Sequence, residues 1–257
     1  MNRINTLFQK KTSDIFSVYF CAGHPNLDST LPTLRALQEG GVDLVEIGVP
    51  FSDPMADGPT IQQAATTALK NGMTLRLLFQ QLQDVRPTIH LPLILMGYLN
   101  VFYHYGFEHF CQDCQRLGID GAIIPDLTFD IYLKDYKPIA DRYDVKIIML
   151  ITPETSDERI RAIDAHTDSF IYQVSTNATT GAQQEYDADT LRYFERIQAM
   201  KLKNPTLVGF GISNPSTLTA ARHHAAGTIV GSRFVQLAAS SATPAEALEK
   251  LKRDLGL

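Results

Sequence analysis

Residues 43–62 read DLVEIGVPFSDPMADGPTIQ. Positions 44–50 form an apolar run interrupted by one carboxylate, Glu46. Asp53-Pro54 and Gly58-Pro59 then mark turns, and a helical stretch free of Gly and Pro runs over 60–70. A short strand apolar at alternating and intervening positions belongs in a parallel sheet covered on both faces. The unit is strand, long loop, helix.

The same unit recurs in both directions. Apolar runs occur at 17–23, 44–50, 91–98, 121–126, 146–152, 170–175, 206–211 and 227–232. Helical patterns fill 29–39, 60–70, 74–86, 107–117, 130–142, 157–164, 188–200, 215–223 and 243–255. Eight strands alternating with helices in 257 residues predict one (β/α)₈ TIM barrel spanning 1–257, with extra N-terminal and loop helices. An open doubly wound sheet is the competitor, but no GxGxxG motif opens the chain. No Pro/Ser/Gly-rich linker divides it.

Composition narrows the class. With 23 Lys and Arg against 28 Asp and Glu, the net charge is −5, so the chain lacks the basic surplus of a nucleic-acid binder. Cys21, Cys111 and Cys114 make no disulfide framework, and Cys111-Gln112-Asp113-Cys114 falls within a helical pattern, which favours two reduced helix cysteines. The start, MNRINTLFQKK, has no signal-peptide core, and no apolar run reaches membrane-spanning length; the expectation is a cytoplasmic protein.

A barrel carries its chemistry at the C-terminal ends of its strands. Period two places Leu44, Glu46 and Gly48 on one face. A carboxyl group buried there takes up a proton unless a cation pairs with it, and a proton carrier poised near neutrality suits general acid–base work. Catalysis and a structural ion pair both fit Glu46, and the strand interiors offer almost no cation. Asp57 fits either a turn residue before the helix or a second carboxylate at the barrel mouth. Gly209-Phe210-Gly211-Ile212-Ser213 and Gly231-Ser232 close the last two strands, where backbone N–H groups commonly bind phosphate. Thr180-Gly181 in the long sixth loop is a third candidate. A Schiff-base aldolase would need a strand lysine, and a metalloenzyme would need converging His and carboxylate ligands. Neither pattern is present, so no metal is expected.

The 19 residues LVEIGVPFSDPMADGPTIQ, with Cys21-Ala22-Gly23-His24-Pro25, Ile124-Pro125-Asp126-Leu127 and the two glycine pairs, resemble the tryptophan synthase alpha chain family along the whole length. The resemblance implies a carbon–carbon lyase that cleaves indole-3-glycerol phosphate to indole and glyceraldehyde 3-phosphate in L-tryptophan biosynthesis. It implies a beta chain partner in an α₂β₂ tetramer, with indole channelled to the partner's pyridoxal phosphate, allosteric coupling, and no cofactor in this chain. Glu46 matches the family's general acid/base, Asp57 the carboxylate that holds the indole N–H, and Tyr172 an active-site tyrosine. Gly181, Gly211, Gly231 and Ser232 match the phosphate ligands; Tyr19 and Leu95 are candidates for the indole pocket. Many members carry Gly at the position of Ala178, and a second proline with paired glutamates where this chain has Thr128-Phe129-Asp130. A free-standing lyase, or a weakly active subunit that activates a beta chain, are the alternative roles.

Overall fold

The computed structural model describes residues 1–175 and 185–257. Nine parallel strands make one sheet: β1 (Ile15–Cys21), β2 (Leu44–Gly48), β3 (Leu93–Met96), β4 (Gly121–Ile123), β5 (Lys146–Ile148), β6 (Leu150–Ile151), β7 (Ile171–Val174), β8 (Thr206–Gly209) and β9 (Gly227–Val230). Their order, β5-β4-β3-β2-β1-β9-β8-β7-β6, brings the first and last strands side by side. The two edges of the sheet are the halves of one predicted run, 146–152. β5 pairs with β4 and β6 with β7, and the Tyr172 N–H donates to the Met149 carbonyl between the halves at 3.0 Å. Nine strands and eight predicted runs are therefore one (β/α)₈ barrel whose fifth strand changes neighbour at Met149.

Alternation along the strands builds two apolar layers. Ile15, Leu44, Ile94, Ile123, Ile148, Tyr172, Leu207 and Ile229 make the barrel interior, and Ile4 of the first helix (Arg3–Lys10) joins them with no exposed surface. Val18, Val45, Ile47, Leu93, Leu95, Ile147 and Val208 belong to the larger layer under the helices. The first helix is held at the barrel floor by Asn2, whose side chain donates to the Asp120 and Asp144 carbonyls at 2.8 and 2.9 Å.

The helices differ from the predicted pattern in two ways. The single helix expected over 130–142 is an α turn (Phe129–Ile131), a π segment (Tyr132–Tyr136) and an α-helix (Lys137–Arg142). Pro138 has no N–H for a regular helical bond, and the Lys137 N–H reaches five residues back to the Tyr132 carbonyl. Two further helices, Leu99–Tyr105 and Ser232–Ser240, directly follow strand-end loops. Among the described residues, no helix is long and apolar enough to cross a membrane.

Candidate active site

The C-terminal ends of β1, β2, β7, β8 and β9 surround a cleft lined by Tyr19, Glu46, Asp57, Tyr172, Gly211, Gly231 and Ser232. Seven of the nine site residues expected from sequence thus meet in one place. Gly181, like Ala178, lies outside the described residues. Leu95 is not in the cleft: it is fully buried in the layer beneath the helices, and its neighbour Met96 lines the cavity instead. The register explains this correction, because Glu46 is opposite Ile94 and Gly48 opposite Met96. The face of β3 turned to the cavity carries the even-numbered residues.

Glu46 has no exposed surface, and neither carboxyl oxygen has a hydrogen-bond partner. Among the described residues it forms no ion pair. Burial pushes its pKa up to about 8, since the apolar wall cannot solvate the anion. Lys146, which begins its strand, faces the opposite rim and pairs there with Asp144 and Asp168, each at 2.8 Å.

Asp57 does close a turn before the helix, its N–H donating to the Pro54 carbonyl at 3.0 Å. Gly58 occupies the cap position of the helix Pro59–Lys70, and the Asp57 side chain turns instead to Tyr98. The Tyr98 hydroxyl donates to Asp57 Oδ2 at 3.1 Å and accepts from the Ala56 N–H at 2.9 Å. Phe51 stacks on the Tyr98 ring at 5.3 Å, so both ends of the loop lean on one side chain. Burial raises the Asp57 pKa to about 6, against the lowering effect of the Tyr98 hydroxyl. Tyr98 was not among the residues singled out from sequence; its one signal there is that a tyrosine closes the apolar run 91–98.

Two tyrosines stand inside the barrel against glycines of neighbouring strands. A Cβ at Gly48 would lie 2.1 Å from the Tyr19 hydroxyl, and one at Gly209 would lie 2.1 Å from the Tyr172 hydroxyl. Both positions therefore need glycine for space, not for backbone freedom. Tyr172 is 4% exposed, and burial together with the nearby Glu46 carries its pKa well above the ordinary phenol value.

The opposite end of the cleft is built from backbone. Phe210 and Gly211 both have left-handed φ, +71° and +72°. That conformation costs an aromatic residue on the order of 1–3 kcal/mol. It is held in place by Ser175 Oγ and Tyr186 Oη, which donate to the Phe210 carbonyl at 2.9 and 3.1 Å. Gly231, which lines the cleft with Ser232, precedes the helix Ser232–Ser240 without a side-chain cap, so the first N–H groups of that helix have no side-chain acceptor at the cap. The segment Thr128-Phe129-Asp130 follows β4 and does not line the cleft; Arg159 fixes it by bonding both Asp130 carboxylate oxygens at 2.7 and 3.0 Å. No group of three or more His, Cys, Asp or Glu among the described residues gathers closely enough to hold a metal ion.

The cleft thus combines a buried acid without a partner, a second carboxylate and two glycine-built turns, and comparison with known proteins decides the family. The sequence profile described as tryptophan synthase alpha chain matches residues 6–255. The chain belongs to that family. The tryptophan synthase alpha chain of Parabacteroides distasonis is 61% identical over 251 residues, 98% of each chain. That of Bacteroides fragilis is 57% identical over 257 residues, covering 100% of this chain and 98% of the relative. Among solved structures, the alpha subunit of Legionella pneumophila superposes with a TM-score of 0.88 at 30% identity, covering 100% of this chain and 99% of the other. The tryptophan synthase complex of Pyrococcus furiosus gives a TM-score of 0.82 at 33% identity, over 95% of this chain and 97% of the other. As a tryptophan synthase alpha chain, the protein is a carbon–carbon lyase of L-tryptophan biosynthesis that cleaves indole-3-glycerol phosphate.

Proposed function

We propose that Glu46 carries the proton of this cleavage in both directions, and that Asp57 holds the indole nitrogen while it does so. The observation that carries the reading is a fully buried carboxyl group without a partner and with a pKa raised to about 8. Protonated at rest, Glu46 delivers its proton to indole C3. The carboxylate so formed accepts the proton of the C3′ hydroxyl as the C3–C3′ bond breaks and its electron pair returns to the ring. Indole and glyceraldehyde 3-phosphate leave, and Glu46 is protonated again. Positive charge develops on the indole nitrogen midway, and an ionised Asp57 facing it stabilises that state. Tyr172 closes the cavity beside Glu46, while Tyr19 and Met96 supply apolar surface for the ring.

Gly211, Gly231 and Ser232 cradle the phosphate, with Gly181 completing the set. Residues 1–257 work as one barrel domain. The partner is a beta chain in an α₂β₂ tetramer; it holds the pyridoxal phosphate, receives the indole and activates this cytoplasmic alpha chain. Support comes from the family itself and from the solved complex among its relatives.

The test is indole release from indole-3-glycerol phosphate by the purified chain, alone and with a beta chain. Slow release that rises steeply with the partner is expected. Equal, fast release in both would make the chain a free-standing lyase, and no release in either would remove the residue roles above.

A further inference from the structure

The charged residues lining the cleft, among those described, are Glu46, Asp57 and Arg233. They are not mixed. Both acids come from β2 and its loop, whereas Arg233 is the second residue of the helix Ser232–Ser240, beside the glycine cradle. Arg233 Nε and Nη2 both bond a single oxygen, Asp254 Oδ2, at 2.8 and 2.6 Å. The arginine and aspartate side chains keep 38% and 31% of their exposure. An ion pair this exposed adds little to stability, and it lacks the parallel two-oxygen geometry of a strong arginine–carboxylate fork. Asp254 also occupies the last turn of the helix Pro244–Leu255, where a negative charge opposes the helix dipole. Neither residue is placed to favour the fold.

We infer that Arg233 is a specificity-determining residue that recognises the phosphate end of the substrate, with Asp254 tempering its charge; the inference rests on the phosphate site proposed above. A dianionic substrate meets a cleft whose other charged groups are acids, and backbone dipoles alone must overcome that repulsion. A cation at the cradle turns the cleft into an oriented field, acid at the indole end and basic at the phosphate end, so that the substrate enters in one direction. Asp254 engages Nε and Nη2 of the guanidinium, which leaves the third nitrogen, Nη1, for a ligand.

Glycerol 3-phosphate binding to the full chain tests this, with indole as the uncharged control. Arg233→Gln is expected to weaken glycerol 3-phosphate about tenfold, the scale of one charge-assisted hydrogen bond, with indole affinity changing far less. In turnover the loss should fall on KM more than on kcat, and Arg233→Lys should recover part of it. Asp254→Asn should act in the opposite direction and tighten glycerol 3-phosphate about threefold by freeing the arginine. Should Asp254→Asn weaken binding as Arg233→Gln does, or should indole and glycerol 3-phosphate weaken together, the pair merely braces the last helix and the inference falls. An Arg233→Gln chain that binds glycerol 3-phosphate like the unmodified one also overturns it. Absence of glycerol 3-phosphate binding in the unmodified chain would instead remove the phosphate site itself.

Discussion

Two carboxyl groups are buried in this barrel, and their surroundings are opposite. Asp120, just before β4 at the floor, is 3% exposed and fully engaged. Its Oδ1 meets Arg3 Nη1 at 3.2 Å, and its Oδ2 meets Arg86 Nη2 at 2.8 Å and the Leu93 N–H at 2.9 Å. Glu46, equally buried toward the mouth, meets nothing. The same residue class therefore does two jobs, and partners rather than burial decide which. A paired anion ties the N-terminal helix and the largely buried Arg86 to the sheet. An unpaired acid keeps its proton to near pH 8 and so has one to give.

The sharpest way to break this comparison is Glu46→Gln. Cleavage should fall by a factor of about a thousand or more, read as indole release, with substrate still bound. Stability should move the other way. The folded acid, with its pKa near 8, keeps a proton that the unfolded chain loses above about 4.5, so the native protein weakens as pH rises between those values. Melting curves should show the variant gaining on the unmodified chain across that window. Asp120→Ala is the counterpart: a cost of about 3–5 kcal/mol in denaturant unfolding, because Arg86 is left buried without its carboxylate.

Asp57→Asn should reduce kcat/KM by about a hundredfold or more through loss of transition-state stabilisation, with circular dichroism unchanged. If only substrate affinity falls, Asp57 is a binding group. The smallest effect is Tyr98→Phe. Without the hydroxyl, the Asp57 pKa should rise above about 6, moving the acid limb of the pH–rate profile upward. Cleavage near pH 6 should then drop about threefold, and much less near about pH 7.5.

The barrel was readable because parallel strands buried on both faces leave continuous apolar runs, and eight such runs have few ways to close. The place of Glu46 in the cleft was readable because period two sets it on one strand face with Leu44 and Gly48. What was hidden depends on register and on contacts distant in sequence. Leu95 and Met96 are chemically alike, and only the pairing of β3 with β2 decides which faces the cavity. Arg86 reaches Asp120 across 34 positions, and Tyr98 reaches Asp57 across 41. The change of neighbour at Met149 leaves no mark in an apolar run, because both halves satisfy the same pattern. Pro138 lies inside the single helix expected over 130–142, and the π segment next to it leaves no mark in the hydrophobic pattern.

The tyrosines packed on glycines make mutational order matter. At Gly48 and Gly209 even a methyl group collides with a phenol, so alanine is tolerated there only after Tyr19 or Tyr172 has been replaced by something shorter. Each pair can thus change in one sequence of steps and not the other. An evolving lineage that keeps the tyrosine keeps its glycine, while one that loses the tyrosine first becomes free to reshape that wall of the cavity.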